Sequence, residues 1–193
     1  MNFANRLTFL RVILAPLFFA VYFLPAQFTG NMVWTVPLLW SIFFISEITD
    51  MLDGMAARRL KQTSDFGKLF DPFADTLMQI TCFLCFVIDG IIPAVLFLVV
   101  LYREFGILFI RNLMLKKGIA LGARISGKIK TVAYIAAAAA ALLCASLHRL
   151  GVFESLQPAV RIAAIAVFGV SVLFSVLSFL DYVFVYQASG KTK

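Results

Sequence analysis

Charge is scarce in this chain. Of its 193 residues only 14% are Asp, Glu, Lys or Arg, against 62% apolar ones, and the mean hydropathy is +0.97. Such a composition lies far outside that of soluble domains, so the medium around the fold is lipid. Histidine is reduced to His148 and cysteine to Cys82, Cys85 and Cys144. The CxxC spacing of Cys82 and Cys85 would suggest redox or metal chemistry in a soluble protein, but inside an apolar helix it reads as buried thiols. His148 reads as a surface residue of an outer loop. No polar stretch is long enough to be an interdomain linker, so residues 1–193 are expected to form one membrane domain.

What the chain has instead is apolar runs about 20 residues long, the length that crosses a hydrocarbon core as a helix. In hydrocarbon the backbone amides must pair within their own segment, and these runs are too long and unbroken for barrel strands. The fold class is therefore all-α, with six spans expected near 10–24, 33–58, 67–88, 91–115, 126–147 and 158–186. The breaks fall at Pro25–Asn31, Arg59–Phe66, Asp89–Gly90, Lys116–Ile125 and His148–Gln157. Arg6 and Arg11 before the first run resemble the start of a secretory signal, but five further spans favour an uncleaved helix. The alanine run from Ala136 to Ala141 reads as a close helix-packing surface.

With the N-terminus inside, 15 of the 17 Lys and Arg residues fall on the inner side or inner half of the membrane, and only Arg149 and Arg161 fall outside. The positive-inside rule then predicts cytoplasmic N- and C-termini in a multi-pass protein of the cell membrane. The same distribution explains the net charge of +7 through topology and anionic lipid headgroups, against a nucleic-acid partner.

Few as they are, the acidic residues cluster. Asp50, Asp53 and Gly54 share one helix face, and Gly67, Asp71 and Asp75 step by four along the next helix. The eight residues from Arg59 to Phe66 make an antiparallel pair of neighbours that gathers four carboxylates into one pocket. Ionisable groups at membrane depth are functional candidates. Unpaired, four carboxylates would repel and protonate, and such hard oxygen ligands suit Mg²⁺, Mn²⁺ or Ca²⁺. Gly54, Ala57 and Gly67 leave room for a bulky ligand against the backbone. The competing reading is a solvated inner loop, with Asp50 at a helix terminus and Asp71 capping a helix before Pro72.

The run Asp50-x-x-Asp53-Gly54-x-x-Ala57-Arg58, eight residues, Gly67-x-x-x-Asp71-x-x-x-Asp75 resembles the CDP-alcohol phosphotransferase signature at every defining position. The resemblance implies a six-helix, usually homodimeric membrane enzyme acting on CDP-diacylglycerol. By position, Asp50, Asp53, Asp71 and Asp75 would hold one or two Mg²⁺ or Mn²⁺ ions. Gly54, Ala57, Arg58 and Gly67 would take the cytidine diphosphate, and Asp75 would be the general base and so the catalytic residue.

The acceptor must be decided elsewhere. Asn5-Arg6-Leu7-Thr8-Phe9-Leu10-Arg11, Arg103-Glu104-Phe105, Arg111 and Gly127-Lys128-Ile129-Lys130-Thr131 resemble the bacterial members that use glycerol 3-phosphate, and the likeness fades after residue 135. It implies that Asn5 and Thr8 help to bind CDP-diacylglycerol. An acceptor that carries phosphate needs cations, and Arg111, Lys128 and Lys130 are the candidates. The plainer alternatives are the positive-inside rule for the lysines, an ion network involving Glu104 and Arg111, and an interfacial first segment in which Arg11 snorkels to headgroups. The expected reaction gives phosphatidylglycerol phosphate and CMP, in phospholipid biosynthesis; the alternative is the same chemistry on inositol phosphate. A cation transporter would need polar residues continuing to the outer side, and 82–88 and 91–102 are free of charge.

Overall fold

The computed structural model describes residues 3–28, 30, 32–60, 65–116 and 125–190. Six helices account for nearly all of them: α1 (Phe3–Phe28), α2 (Thr35–Leu60), α3 (Asp65–Ile88), α4 (Ala94–Lys116), α5 (Ile125–Leu150) and α6 (Gln157–Gly190), with one 3₁₀ turn at Glu154–Leu156 before α6. No strand occurs among the described residues. The all-α expectation holds, and each helix runs slightly past its apolar run at one end or both. Pro25 does not end α1, which continues to Phe28, and His148 lies in the last turn of α5, not in a loop.

Five of the six helices are long and apolar enough to cross a membrane. The exception, α4, matches them in length at 23 residues but carries Arg103, Glu104 and Arg111 along its middle and second half. The molecule is inverted relative to a soluble protein. Leu173, Leu177 and Phe184 are exposed on α6 while Ser171, Ser175 and Ser178 of the same helix are buried. With apolar side chains outward and hydroxyls inward, the chain fits a lipid surround.

Two helix ends show why the chain turns where it does. At the end of α3, the Gly90 amide donates to the Val87 carbonyl at 3.0 Å and the Ile91 amide to the Phe86 carbonyl at 2.9 Å, with Gly90 at φ +72°. The same pair of bonds closes α5 at Gly151, φ +63°, through the His148 and Leu147 carbonyls. Both are Schellman caps, and the left-handed position is the one that glycine takes without a Cβ penalty.

The chain divides into two compact units, Met1–Cys85 with Ala145–Glu154, and Phe86–Cys144 with Ser155–Lys193. In the first, α1 packs along α2. The buried stripe of α1 reads Thr8, Arg11, Ala15, Phe18, Tyr22, at helical spacings of three and four. Toward its other end, Arg149 lies over the Tyr22 ring, 4.0 Å from ring centroid to guanidinium carbon, and donates to the Thr35 hydroxyl at 2.8 Å and the Tyr22 carbonyl at 3.1 Å. It thereby adds a donor to the turn from which Pro25 removes one. Cys82 and Cys85 are buried thiols, as their apolar setting predicts.

In the second unit α4 packs on α6. The interior stripe of α6 is Ala164, Phe168, Ser171, Ser175, Ser178 and Tyr182, and that of α5 is Lys130, Tyr134, Ala137 and Ala141. Buried Ala137, Ala138 and Ala141 make the alanine run the packing surface expected of it. Gly106 of α4 faces Phe179 of α6, whose Cε2 would stand 2.9 Å from an added Cβ. An alanine there only pushes the tip of a ring, whereas Gly106→Leu is expected to cost about 1–3 kcal/mol by overpacking. Thermal unfolding in mild detergent checks this, with Gly106→Leu well below wild type and Gly106→Ala close to it.

Candidate active site

The first unit builds its polar centre from three helices. Asp50 comes from α2, Asp71 and Asp75 from α3, and Thr8 and Arg11 from the buried stripe of α1. Arg11 Nη1 donates to Asp50 Oδ1 at 2.7 Å and is also ion-paired with Asp75 Oδ1. One turn earlier, the Thr8 hydroxyl donates to Asp71 Oδ1 at 2.6 Å. The burial is unequal: the Arg11 side chain is 1% exposed, those of Asp50 and Asp75 41% and 35%. The arginine is thus the floor of the cluster, and the carboxylates keep an open side above it.

This geometry removes two of the plainer readings. Asp50 and Asp71 are not in a solvated loop: α2 continues ten residues beyond Asp50, and α3 has already run from Asp65 when it reaches Asp71 and Pro72. Nor does Arg11 snorkel to headgroups, because its side chain is buried against Asp50 and Asp75. The reason is positional. Arg11 stands four, seven and eleven residues before Ala15, Phe18 and Tyr22, on the face that α1 buries. That stripe was the signal by which sequence reasoning could have found it. Glu47, three residues before Asp50 on the same face of α2, is a further carboxylate that interacts with Asp50 and Arg11 and that the motif does not contain.

Of the remaining signature positions, Gly67 is buried in the first turn of α3. Asp53, Gly54, Ala57 and Arg58 fall in the last turns of α2, and their side chains, like that of Asn5, lie outside the described residues. Thr8, expected to help bind CDP-diacylglycerol, is buried with its hydroxyl on Asp71. Among the described residues no three metal-ligating side chains close around one point. The donor set nevertheless fits a hard divalent cation: two carboxylate oxygens from different helices converge on one cationic nitrogen, with open carboxylate surface beside it.

The second unit holds a separate polar network. Arg103 Nε donates to the Ser175 carbonyl at 3.1 Å, its Nη1 to Glu104 Oε1 at 2.7 Å and its Nη2 to the Ser178 hydroxyl at 3.2 Å. Lys130 Nζ donates to the same Glu104 oxygen at 3.2 Å and lies 4.4 Å from the Tyr134 ring centroid. The Tyr134 and Ser175 hydroxyls share a 2.6 Å hydrogen bond. Glu104 therefore pairs with Arg103 and Lys130, and Arg111 instead lies against Tyr182, 5.7 Å from the ring centroid. Of the three acceptor-phosphate candidates, Lys130 is buried and engaged, Arg111 is partly buried, and Lys128 is exposed. Lys128 borders an apolar groove of about 620 Å³ between α5 and α6, lined by Val132, Ala136, Val170 and Phe174 among others.

Residues 1–177 match the family described as CDP-alcohol phosphatidyltransferase. The chain belongs to that family. A relative from Treponema pallidum, named CDP-diacylglycerol--glycerol-3-phosphate 3-phosphatidyltransferase, is 36% identical over 94% of this chain and 88% of its own length. Relatives of the same name from Bacillus subtilis and Haemophilus influenzae are 33% and 30% identical, covering 74% and 97% of this chain and 77% and 95% of their own. The resemblance drawn from the carboxylate spacing thus extends over nearly the whole chain of this CDP-alcohol phosphatidyltransferase, including α4, α5 and most of α6.

Glu104 serves two cations, so its removal should do more harm than the loss of either. Leaving a buried charge without its partner costs roughly 3–5 kcal/mol. Glu104→Gln, which leaves Arg103 and Lys130 facing each other, is expected to lower the unfolding temperature more than Lys130→Met, which keeps the Arg103–Glu104 pair. Equal losses in the two variants would show that Glu104 is not the hub.

Proposed function

We propose that this chain transfers the phosphatidyl group of CDP-diacylglycerol to glycerol 3-phosphate, giving phosphatidylglycerol phosphate and CMP. The observation that carries the reading is the convergence of Asp50 and Asp75 on Arg11, with Asp71 beside them on Thr8, at the positions of the family signature. The printed names of the relatives supply the acceptor.

Asp50, Asp53, Asp71 and Asp75 are the residues that would hold one or two Mg²⁺ or Mn²⁺ ions, which when bound neutralise charge on the diphosphate and the departing CMP. The rest is asked of the chain itself. Asp75 Oδ1 is buried on Arg11, which leaves Oδ2 as the basic atom on the exposed side of the carboxyl group. There Asp75 accepts the proton of the acceptor hydroxyl as its oxygen bonds to the phosphorus that bears diacylglycerol. The bond from that phosphorus to the CMP oxygen breaks, and CMP leaves with the electron pair. A single displacement accounts for the products. Gly54, Ala57, Arg58 and Gly67 accommodate the cytidine diphosphate, and Arg111 and Lys128 are the cations best placed by exposure to meet the acceptor phosphate. Lys130 acts through its pairing with Glu104. The cytoplasm is the side that the positive-inside rule assigns to the termini and the carboxylate site, in a homodimer of the cell membrane.

CMP release by the purified protein in lipid, with CDP-diacylglycerol and Mg²⁺, tests the reading against glycerol 3-phosphate, inositol phosphate, serine and no acceptor. Release only with glycerol 3-phosphate, abolished by a chelator and in Asp71→Asn, is the expected result. Release with inositol phosphate instead would keep the chemistry and replace the acceptor; absence of release with all four would overturn the proposal.

General-base loss ordinarily lowers turnover by about 10²–10⁴-fold. Asp75→Asn is expected to fall in that range for kcat, with a smaller change in the KM for glycerol 3-phosphate. Near-normal turnover in Asp75→Asn would remove the proton-acceptor role from Asp75.

A further inference from the structure

Arg11 lies outside the signature, yet the two signature carboxylates Asp50 and Asp75 both turn one oxygen toward it. Three features set this pair of contacts apart from an ordinary surface salt bridge. The guanidinium is buried while its partners are partly exposed. One nitrogen, Nη1, meets oxygens from two different helices. And α1 is held in register beside it by Thr8 on Asp71, so the first helix touches all three described signature carboxylates. An arginine cannot shed its charge by deprotonation, so whatever binds there meets a permanent cation.

Resting on the metal-dependent reading above, we propose that Arg11 is a tethered counter-ion that competes with the divalent cation for Asp50 and Asp75. Without the ion, Arg11 draws together across α2 and α3 two carboxylates that would otherwise repel at membrane depth. A cation ligated by the same carboxylates comes close to Nη1, and like charges at that range oppose each other. Binding of the ion therefore requires Nη1 to give up at least one of its two oxygens. The open side of Asp50 and Asp75 is where the ion enters, and the buried floor is where the guanidinium retreats. Arg11 thus sets the affinity for the ion downward while holding its ligands in place, which keeps the ion exchangeable between turnovers.

The test is binding, not catalysis. Mn²⁺ is titrated into the purified full-length protein in lipid nanodiscs, without substrate, and free Mn²⁺ is read by its paramagnetic resonance. Arg11→Gln is expected to bind Mn²⁺ at least about tenfold tighter than wild type, the lower end of what removal of a neighbouring like charge does to an ionic site. In chelator the same variant is expected to unfold at a lower temperature than wild type, and saturating Mn²⁺ should narrow that gap. Unchanged or weaker Mn²⁺ binding in a folded Arg11→Gln protein overturns the proposal. Should that variant fail to fold, the wild type decides: Mg²⁺ must shift the Arg11 Nε–H resonance, assigned by its loss in Arg11→Lys, and an unmoved resonance at saturating Mg²⁺ overturns the proposal. If the wild type itself binds no Mn²⁺, it is the metal-dependent reading that falls, an outcome distinct from binding that is indifferent to Arg11.

Discussion

Everything in the first unit depends on how negative charge is kept at membrane depth. A carboxylate in a low-dielectric surround must be paired, solvated or protonated, and the protein chooses pairing for Asp50 and Asp75. That choice dictates the placement of α1. Its buried stripe begins with Thr8 and Arg11 and passes into Ala15, Phe18 and Tyr22, so a single helix face carries the polar partners at one end and the packing contacts with α2 along the rest. Arg149, bonded to Thr35 and Tyr22, ties the same helix down toward its other end.

The second unit solves the opposite problem. There Arg103 and Lys130 share one acid, Glu104, so this network has cations in excess, whereas the cluster around Arg11 has carboxylates in excess. Serines on the interior stripe of α6 make the network affordable in hydrocarbon, since Ser175 and Ser178 supply acceptors to Arg103 without adding charge. The same burial explains how α4 carries its mid-helix charges: Arg103 and Glu104 point inward, and the residues beside them, Tyr102 and Phe105, are exposed.

Much of this was legible from spacing. Six apolar runs become six helices, Asp50 and Asp53 fall on one helix and the period-of-four Asp71 and Asp75 on the next in sequence, and the alanine run does pack. The helix ends were less so, because α-helical hydrogen bonding continues past the hydrocarbon run into residues that are no longer apolar, and because Pro25 is tolerated where Arg149 adds a bond to the neighbouring carbonyl. The side-chain partners of the carboxylates were less legible still. Arg11 looks like a headgroup anchor when judged by its closeness to the N-terminus, and like a buried counter-ion only when placed on the stripe it shares with Phe18 and Tyr22. A seven-residue spacing offers Glu104 a network with Arg111 as one alternative, but the neighbouring Arg103 and Lys130 of the next helix are what it pairs with. Spacing within a helix defines a face; it does not say which other helix that face meets.

The distribution of exposure within the carboxylate cluster bears on mechanism more than its composition does. A general base must be accessible to the hydroxyl it deprotonates and yet stay ionised before that hydroxyl arrives. Asp75, the proposed base, has one oxygen buried on the Arg11 guanidinium while its side chain as a whole is 35% exposed. Asp71 is held by the neutral Thr8 hydroxyl. Asp50 has the same cationic partner as Asp75 but stands on α2. The partners separate Asp71 from the other two, and the proposal of Asp75 over Asp50 as proton acceptor rests on its place in the motif.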